Sequence, residues 1–164
     1  MVATVTDLKI AIAGLGVVGS EVARHLIFRQ KQLESTAGRK LRLVAVSARD
    51  RNLDRGFDLQ GIDWCDDPMS FVERDDIDVV VEMIGGVEGI SLNLARGSLT
   101  HGKDLVTANK ALLAHHGSEL AKLAEKNQKS LVFESAVAGG IPAVKTIREG
   151  LAGNSISRVA GILN

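Results

Sequence analysis

The chain has 164 residues, 45% apolar and 24% charged, the balance of an ordinary globular protein long enough to bury one core. Twenty Lys+Arg against twenty Asp+Glu leave no net charge, which excludes a global field drawing the chain to nucleic acid or to a membrane surface. No apolar run approaches the ~18 residues of a membrane span, and the opening MVATVTD lacks the regions of a signal peptide. The lone Cys65 cannot form an internal disulfide, so a reducing, cytoplasmic setting is expected. With aromatic residues at 3%, the core has to come from Val, Ile, Leu and Ala, which suits parallel strands covered on both faces.

The first predicted strand is Leu8–Ala13, and it runs directly into Gly14-Leu15-Gly16-Val17-Val18-Gly19. A helix pattern follows over residues 17–30, with Val18, Val22 and Leu26 on one face. This is a G-x-G-x-x-G between strand and helix, the context that gives the motif physical meaning. Gly14 permits a tight turn, Gly16 lets a pyrophosphate approach the backbone, and Gly19 lets helix and strand pack closely. The helix N-terminus offers free N–H groups and a positive dipole end to the phosphates. Gly14, Leu15, Gly16, Val17, Val18 and Gly19 are therefore candidate cofactor-binding residues. The alternative is a glycine-rich turn that binds nothing.

Residues 31–40 read as a polar connection and Leu41–Ser47 as the second strand. A strand-tip Asp or Glu would hold the ribose hydroxyls of NAD, whereas an Arg favours the 2′-phosphate of NADP. Here Ser47 leaves room and Arg49 follows, so NADP is favoured over NAD; Asp50 is the counter-signal. Residues 49–59 read as loop with irregular helix. A short helix is expected over 69–74 behind Asp66 or Asp67, then a strand over 78–83 ending at Gly85-Gly86, and a helix over 90–101 stopped by Gly102. Asp104–Thr107 is the next strand, and Asn109 or Thr107 can cap a helix over 110–127. A strand over 130–134, a small-residue loop over 135–140, a helix from Pro142 to Glu149 and a last strand over 156–163 complete the pattern. Such alternation predicts an α/β, Rossmann-type, doubly wound parallel sheet.

Ligands gather beyond the carboxyl ends of such strands. Ile84 and Gly85 can pass a ribose or nicotinamide closely, and Thr107 and Lys110 stand at the next strand end. An ammonium there can hold a substrate oxygen or the cofactor amide. Residues 134–142 combine one carboxylate, Glu134, with exposed carbonyls, a hard-oxygen arrangement suited to a low-charge cation, or simply a close-packed turn. His115 and His116 diverge on a helix and cannot share a metal. His25 reads as a surface residue and Cys65 as a plain thiol. Asp66, Asp67, Asp75, Asp76 and Asp78 form no convincing catalytic pair.

The segments AGLGVVG, VVVEMIGG, LVTANKALLAHHGSEL and FESAVAGGIPAVKTIREGLAGNSISRVAGILN resemble homoserine dehydrogenase from Ile10 to Asn164. The resemblance implies NAD(P)-dependent interconversion of L-homoserine and L-aspartate 4-semialdehyde, on the route to threonine and methionine. It also implies a sodium ion held by Glu134 and the carbonyls of Val137, Gly139 and Ile141. Lys110 would stand beside the nicotinamide as an assisting group, and Arg49 would contact the 2′-phosphate. In the family, the proton-relay lysine, the substrate-holding acids and much of the homo-oligomer interface come from a domain following GILN. Residues 1–153 are thus expected to be the dinucleotide-binding unit and 154–164 the start of the next domain. The competing readings are a stand-alone nucleotide-binding module and another Rossmann oxidoreductase, such as aspartate or diaminopimelate dehydrogenase; ANKALLA and AVAGGIP argue against the last.

Overall fold

Alternation along the first strand already dictates the layers. In β1 (Leu8–Ala13), Ile10 and Ile12 turn to one face of the sheet, while Ala11 and Ala13 turn to the other. The computed structural model describes residues 6–161 and forms one six-stranded, all-parallel sheet. The remaining strands are β2 (Leu41–Ser47), β3 (Asp63–Trp64), β4 (Val79–Glu82), β5 (Asp104–Thr107) and β6 (Leu131–Val132), in the order β3-β2-β1-β4-β5-β6. The α/β doubly wound expectation therefore holds. The chain winds outward from β1 to β3 and returns to β4 on the far side of β1. The crevice between the carboxyl ends of β1 and β4 is the switch point where such sheets take ligands.

On one face, α1 (Val17–Phe28) buries Ala23 and Leu26 against Ile10, Ile12, Val46, Val79 and Val81. On the other, α3 (Ser70–Glu73), α4 (Ile90–Thr100) and α5 (Lys110–Lys126) enclose Phe71, Leu92, Leu94, Leu99, Leu112 and Leu120 against Ala11, Val80 and Leu105. Aliphatic burial on both faces is the main stabilising term, at roughly 25 cal/mol per Å².

Several expectations are corrected. The helix expected over 17–30 ends at Phe28, and the expected connection over 31–40 holds a second helix, α2 (Gln30–Ala37). Its residues are good helix formers, and Gly38 closes it in the left-handed conformation at φ 68° with its N–H donating to the Glu34 carbonyl. It buries no residue fully, so the hydrophobic pattern carried little sign of it. The edge strand β3 is two residues long, too short for a periodic signal. The strand expected over 130–134 stops at Val132, because Glu134–Ala136 turns into a 3-10 helix. The helix from Pro142 is split into α6 (Ala143–Lys145) and a wider turn over Thr146–Gly150.

The strand expected over 156–163 is also corrected. Residues 155–161 are irregular and exposed, Ile156 at 41% and Val159 at 69%, and 162 and 163 lie outside the described residues. Its β-branched residues pair with no strand among the described residues, and pairing rather than propensity makes a strand.

Candidate functional site

Three turns and one further loop meet above the carboxyl ends of the strands. The phosphate turn comes first. Gly14 has φ 99° and donates its N–H to the Ser47 carbonyl at 2.8 Å; a Cβ there would stand 2.5 Å from the Met83 carbonyl oxygen. A Cβ on Gly19 would stand 1.8 Å from the Gly14 carbonyl oxygen, which fixes how closely α1 crosses β1. Gly16 differs, with no atom within 4 Å of where its Cβ would be. The two flanking glycines answer to packing and the middle one faces open space, so what needs room at Gly16 comes from outside the chain.

Gly16 caps α1 without a side-chain hydrogen bond, and no acidic residue occupies the first turn. The amides of Val17, Val18 and Gly19 find no partner among the described residues. Unfilled donors at a positive dipole end fit the phosphates of a dinucleotide. Leu15 is buried beneath the turn, whereas Val17 is 92% and Val18 55% exposed at the rim.

Beside the turn, Ser47 is buried and Arg49 exposed at the tip of β2. Asp50 accepts the Asn52 N–H at 2.9 Å, an Asx turn that engages the carboxylate locally. Arg55, to which the sequence draws no attention, joins the two loops. Its guanidinium donates to the carbonyls of Leu15 (3.3 Å), Leu53 (2.8 Å) and Asp50 (2.7 Å), and lies 5.5 Å from the centre of the Trp64 ring. One rigid fork thus sets the phosphate turn against the β2 loop.

The third turn follows β4. Ile84, Gly85 and Gly86 are exposed, and beneath them lies Glu82, fully buried. One carboxylate oxygen accepts the N–H groups of Ile84 (2.9 Å) and Gly85 (3.1 Å), and the other accepts the Thr107 hydroxyl (2.6 Å). Thr107 is itself buried, so its hydroxyl faces Glu82 instead of the crevice. The Thr107 oxygen accepts the Asn109 N–H at 3.0 Å. Asn109 caps α5 through the Leu112 N–H and donates its side-chain amide to the Gly86 carbonyl (2.7 Å) and Ser91 Oγ (3.0 Å). The sequence shows Asn109 as a cap but not as a bridge. Glu82 carried one signal, an acid directly after the apolar run Val79-Val80-Val81.

Lys110 opens α5, exposed, at the mouth of a cavity of about 390 Å³ lined largely by Leu113, Ala121, Phe133 and Val137. In the turn after β6, Glu134 accepts the N–H groups of Val144 (3.1 Å) and Lys145 (2.9 Å), capping α6. Ala138 and Gly139 turn the chain at φ 60° and 61°, and the Ile141 carbonyl accepts the Ala143 N–H. Among the described residues no three His, Cys, Asp or Glu side chains converge. A cation here would rest on one carboxylate and carbonyl oxygens with second lone pairs to offer, a donor set that fits a hard, low-charge ion. Elsewhere Cys65 is half-buried with Arg74 Nη1 3.9 Å from its sulfur, and His116 lies between Glu88 and Glu119 on the outer face of α5. No helix among the described residues is long and apolar enough to cross a membrane.

Comparison with known proteins agrees with this geometry. The family model described as homoserine dehydrogenase, NAD binding domain, matches residues 14–134, from the first glycine of the phosphate turn to the carboxylate of the last. The homoserine dehydrogenase of Neisseria gonorrhoeae is 41% identical over 157 residues, covering 96% of this chain and 36% of that protein. That of Mycobacterium bovis is 43% identical over 155 residues, covering 94% and 34%. The crystal structure of a homoserine dehydrogenase from Thiobacillus denitrificans superposes with a TM-score of 0.82 at 35% identity, covering 92% of this chain and 34% of that one. The chain thus spans about a third of the length of the relatives it matches, the third that carries the cofactor fold. With the glycine turn, the strand order and the matched residues in accord, the chain belongs to the homoserine dehydrogenase NAD-binding domain family.

Proposed function

We propose that this chain is the cofactor-binding part of an oxidoreductase interconverting L-homoserine and L-aspartate 4-semialdehyde, a step toward threonine and methionine. The observation that carries the reading is the phosphate turn at the β1/β4 switch point, open at Gly16 and uncapped at α1. Gly14, Leu15, Gly16, Val17, Val18 and Gly19 would hold the pyrophosphate. Ile84, Gly85, the Thr107 backbone and Lys110 would line the nicotinamide side. A bound nicotinamide supplies the hydride exchange. Lys110 would steady the ring amide or a substrate oxygen through its ammonium. Residues 1–153 form the cofactor unit in this reading, and 154–164 lead into the part that holds substrate, relays the proton and builds a homo-oligomer, in a cytoplasmic enzyme.

NADP is the favoured cofactor, because Arg49 is exposed at the tip of β2 while the Asp50 carboxylate is engaged by Asn52. Titration with NADPH and NADH, followed by cofactor fluorescence, tests both points. NADPH is expected to bind more tightly, and Arg49→Ala to weaken it about tenfold, as loss of a charge-assisted contact does, with NADH little changed. Equal affinities unaltered by the substitution would move the choice to NAD, and binding of neither would remove the reading.

Glu134 and the carbonyls of Val137, Gly139 and Ile141 would hold sodium. Thermal unfolding in sodium chloride and in choline chloride at equal ionic strength tests this: a higher midpoint in sodium, lost in Glu134→Gln, is expected, and identical midpoints refute it.

A further inference from the structure

The glycines of the β4–α4 loop pose a problem that those of the phosphate turn do not. Gly85, Gly86 and Gly89 have φ of 84°, 90° and 70°, and a Cβ on any of them would meet nothing within 4 Å. Packing therefore does not hold this backbone in place, and glycines left to themselves sample many conformations. What holds it is polar and comes from below. Glu82 takes the N–H groups of Ile84 and Gly85, and Asn109 takes the Gly86 carbonyl and the Ser91 hydroxyl at the start of α4. The Thr107 hydroxyl links the two systems.

Burying a carboxylate with no cation among its contacts is costly, and an apolar side chain would end β4 without that cost. We infer that Glu82 is a positioning residue for the nicotinamide half of the cofactor: through Thr107 and Asn109 it holds the Ile84–Gly86 backbone in the one shape against which the ring and its ribose dock. This rests on the cofactor reading above and adds that the two halves of the dinucleotide are served by separate devices. Arg55 and the phosphate turn organise the adenosine side without Glu82. A nicotinamide site built this way loses its ring-end affinity when the tether is cut, while adenosine-end affinity persists.

The test uses the 164-residue chain, with NADPH and NADH as whole cofactors and 2′,5′-ADP and ADP as fragments lacking nicotinamide. Glu82→Gln keeps the shape but turns an amide N–H₂ toward Thr107, which must then give up its own acceptor. It is expected to weaken NAD(P)H about tenfold, the scale of one lost buried hydrogen bond, and to leave the matching fragment within about twofold. Thr107→Val should reproduce the split, and Thr107→Ser, which restores the hydroxyl, should abolish it. Parallel loss of cofactor and fragment would reduce Glu82 to a general structural role, and an unchanged NAD(P)H affinity would overturn the inference outright. Failure of the wild-type chain to bind cofactor and fragment alike would remove the cofactor reading itself. Fragment binding without any added affinity for whole cofactor would leave that reading standing and refute only the nicotinamide tether.

Discussion

At the residue scale, two glycines three positions apart, Gly16 and Gly19, do opposite work, and substitution separates them. A Cβ on Gly19 would lie 1.8 Å from the Gly14 carbonyl oxygen, so Gly19→Ala is expected to push α1 off β1. The cost is on the order of 1–3 kcal/mol, read as a lower midpoint in urea. Gly16 lies at φ −76° with open space around it, so Gly16→Ala should unfold like the wild type yet lose nucleotide affinity, because the new methyl occupies the phosphate approach. Equal affinity in Gly16→Ala would place the phosphates elsewhere. These roles were legible in the sequence because every contact that defines them, Met83 apart, lies within a few residues. Glu82 was legible only as an oddity, since its partner Thr107 is distant along the chain and no local pattern announces the pairing.

At the scale of elements, side chains at the ends of strands and helices pin loops across the sheet. Asn109 caps α5 and also grips Gly86 and Ser91. Asn109→Ala should therefore cost more than an ordinary cap, about 2 kcal/mol against about 1, by urea unfolding. At the opposite end of the sheet, Arg74 donates to Asp76 at 2.8 and 2.7 Å and reaches Asp63 of β3 at 2.8 Å. The Arg74 hydrogen bond holds the Asp76 carboxyl below its ordinary 3.8. A carboxyl lowered on folding contributes stability that is present above 3.8 and is lost as pH falls through the lower folded value. Asp76→Asn should thus lose stability at pH 6 and show a shallower further decline below pH 4, in unfolding series run at several pH values. Asp63 is 64% and Asp76 49% exposed, so screening keeps the effect small. The long elements were readable because their apolar residues repeat with the strand or helix period. The short β3 and the polar α2 were not, because a two-residue strand has no period and α2 buries nothing completely.

At the scale of the whole molecule, the parallel, doubly wound sheet followed from the alternation of elements, and the family match agrees with the resemblance read from the motifs. The misread strand over 156–163 marks the limit of such reading: β-branched residues report a preference, and only a neighbouring edge turns it into a strand. Since the chain spans about a third of its relatives, purified 164-residue protein is expected to bind cofactor but to oxidise homoserine negligibly. General acid–base assistance alone is worth about 10²–10⁴-fold, and in the proposed division the proton relay lies outside residues 1–153. Robust turnover by the verified chain would disprove that division of labour.

The seating of Gly14 also sets an order of events during synthesis. Its N–H is held by the Ser47 carbonyl, and its Cα faces the Met83 carbonyl. β1 meets its second neighbour only when β4 exists, as the Lys9 N–H to Asp78 carboxylate bond across 69 positions illustrates. A nascent chain that has reached only β2 can pair β1 on one side but has no wall for the glycine turn. Closing so long a loop is slow, and until then the apolar edge of β1 is open to wrong partners. The first motif written in the chain thus stays incomplete until about half of the chain has been made, and cofactor competence arrives only after Met83.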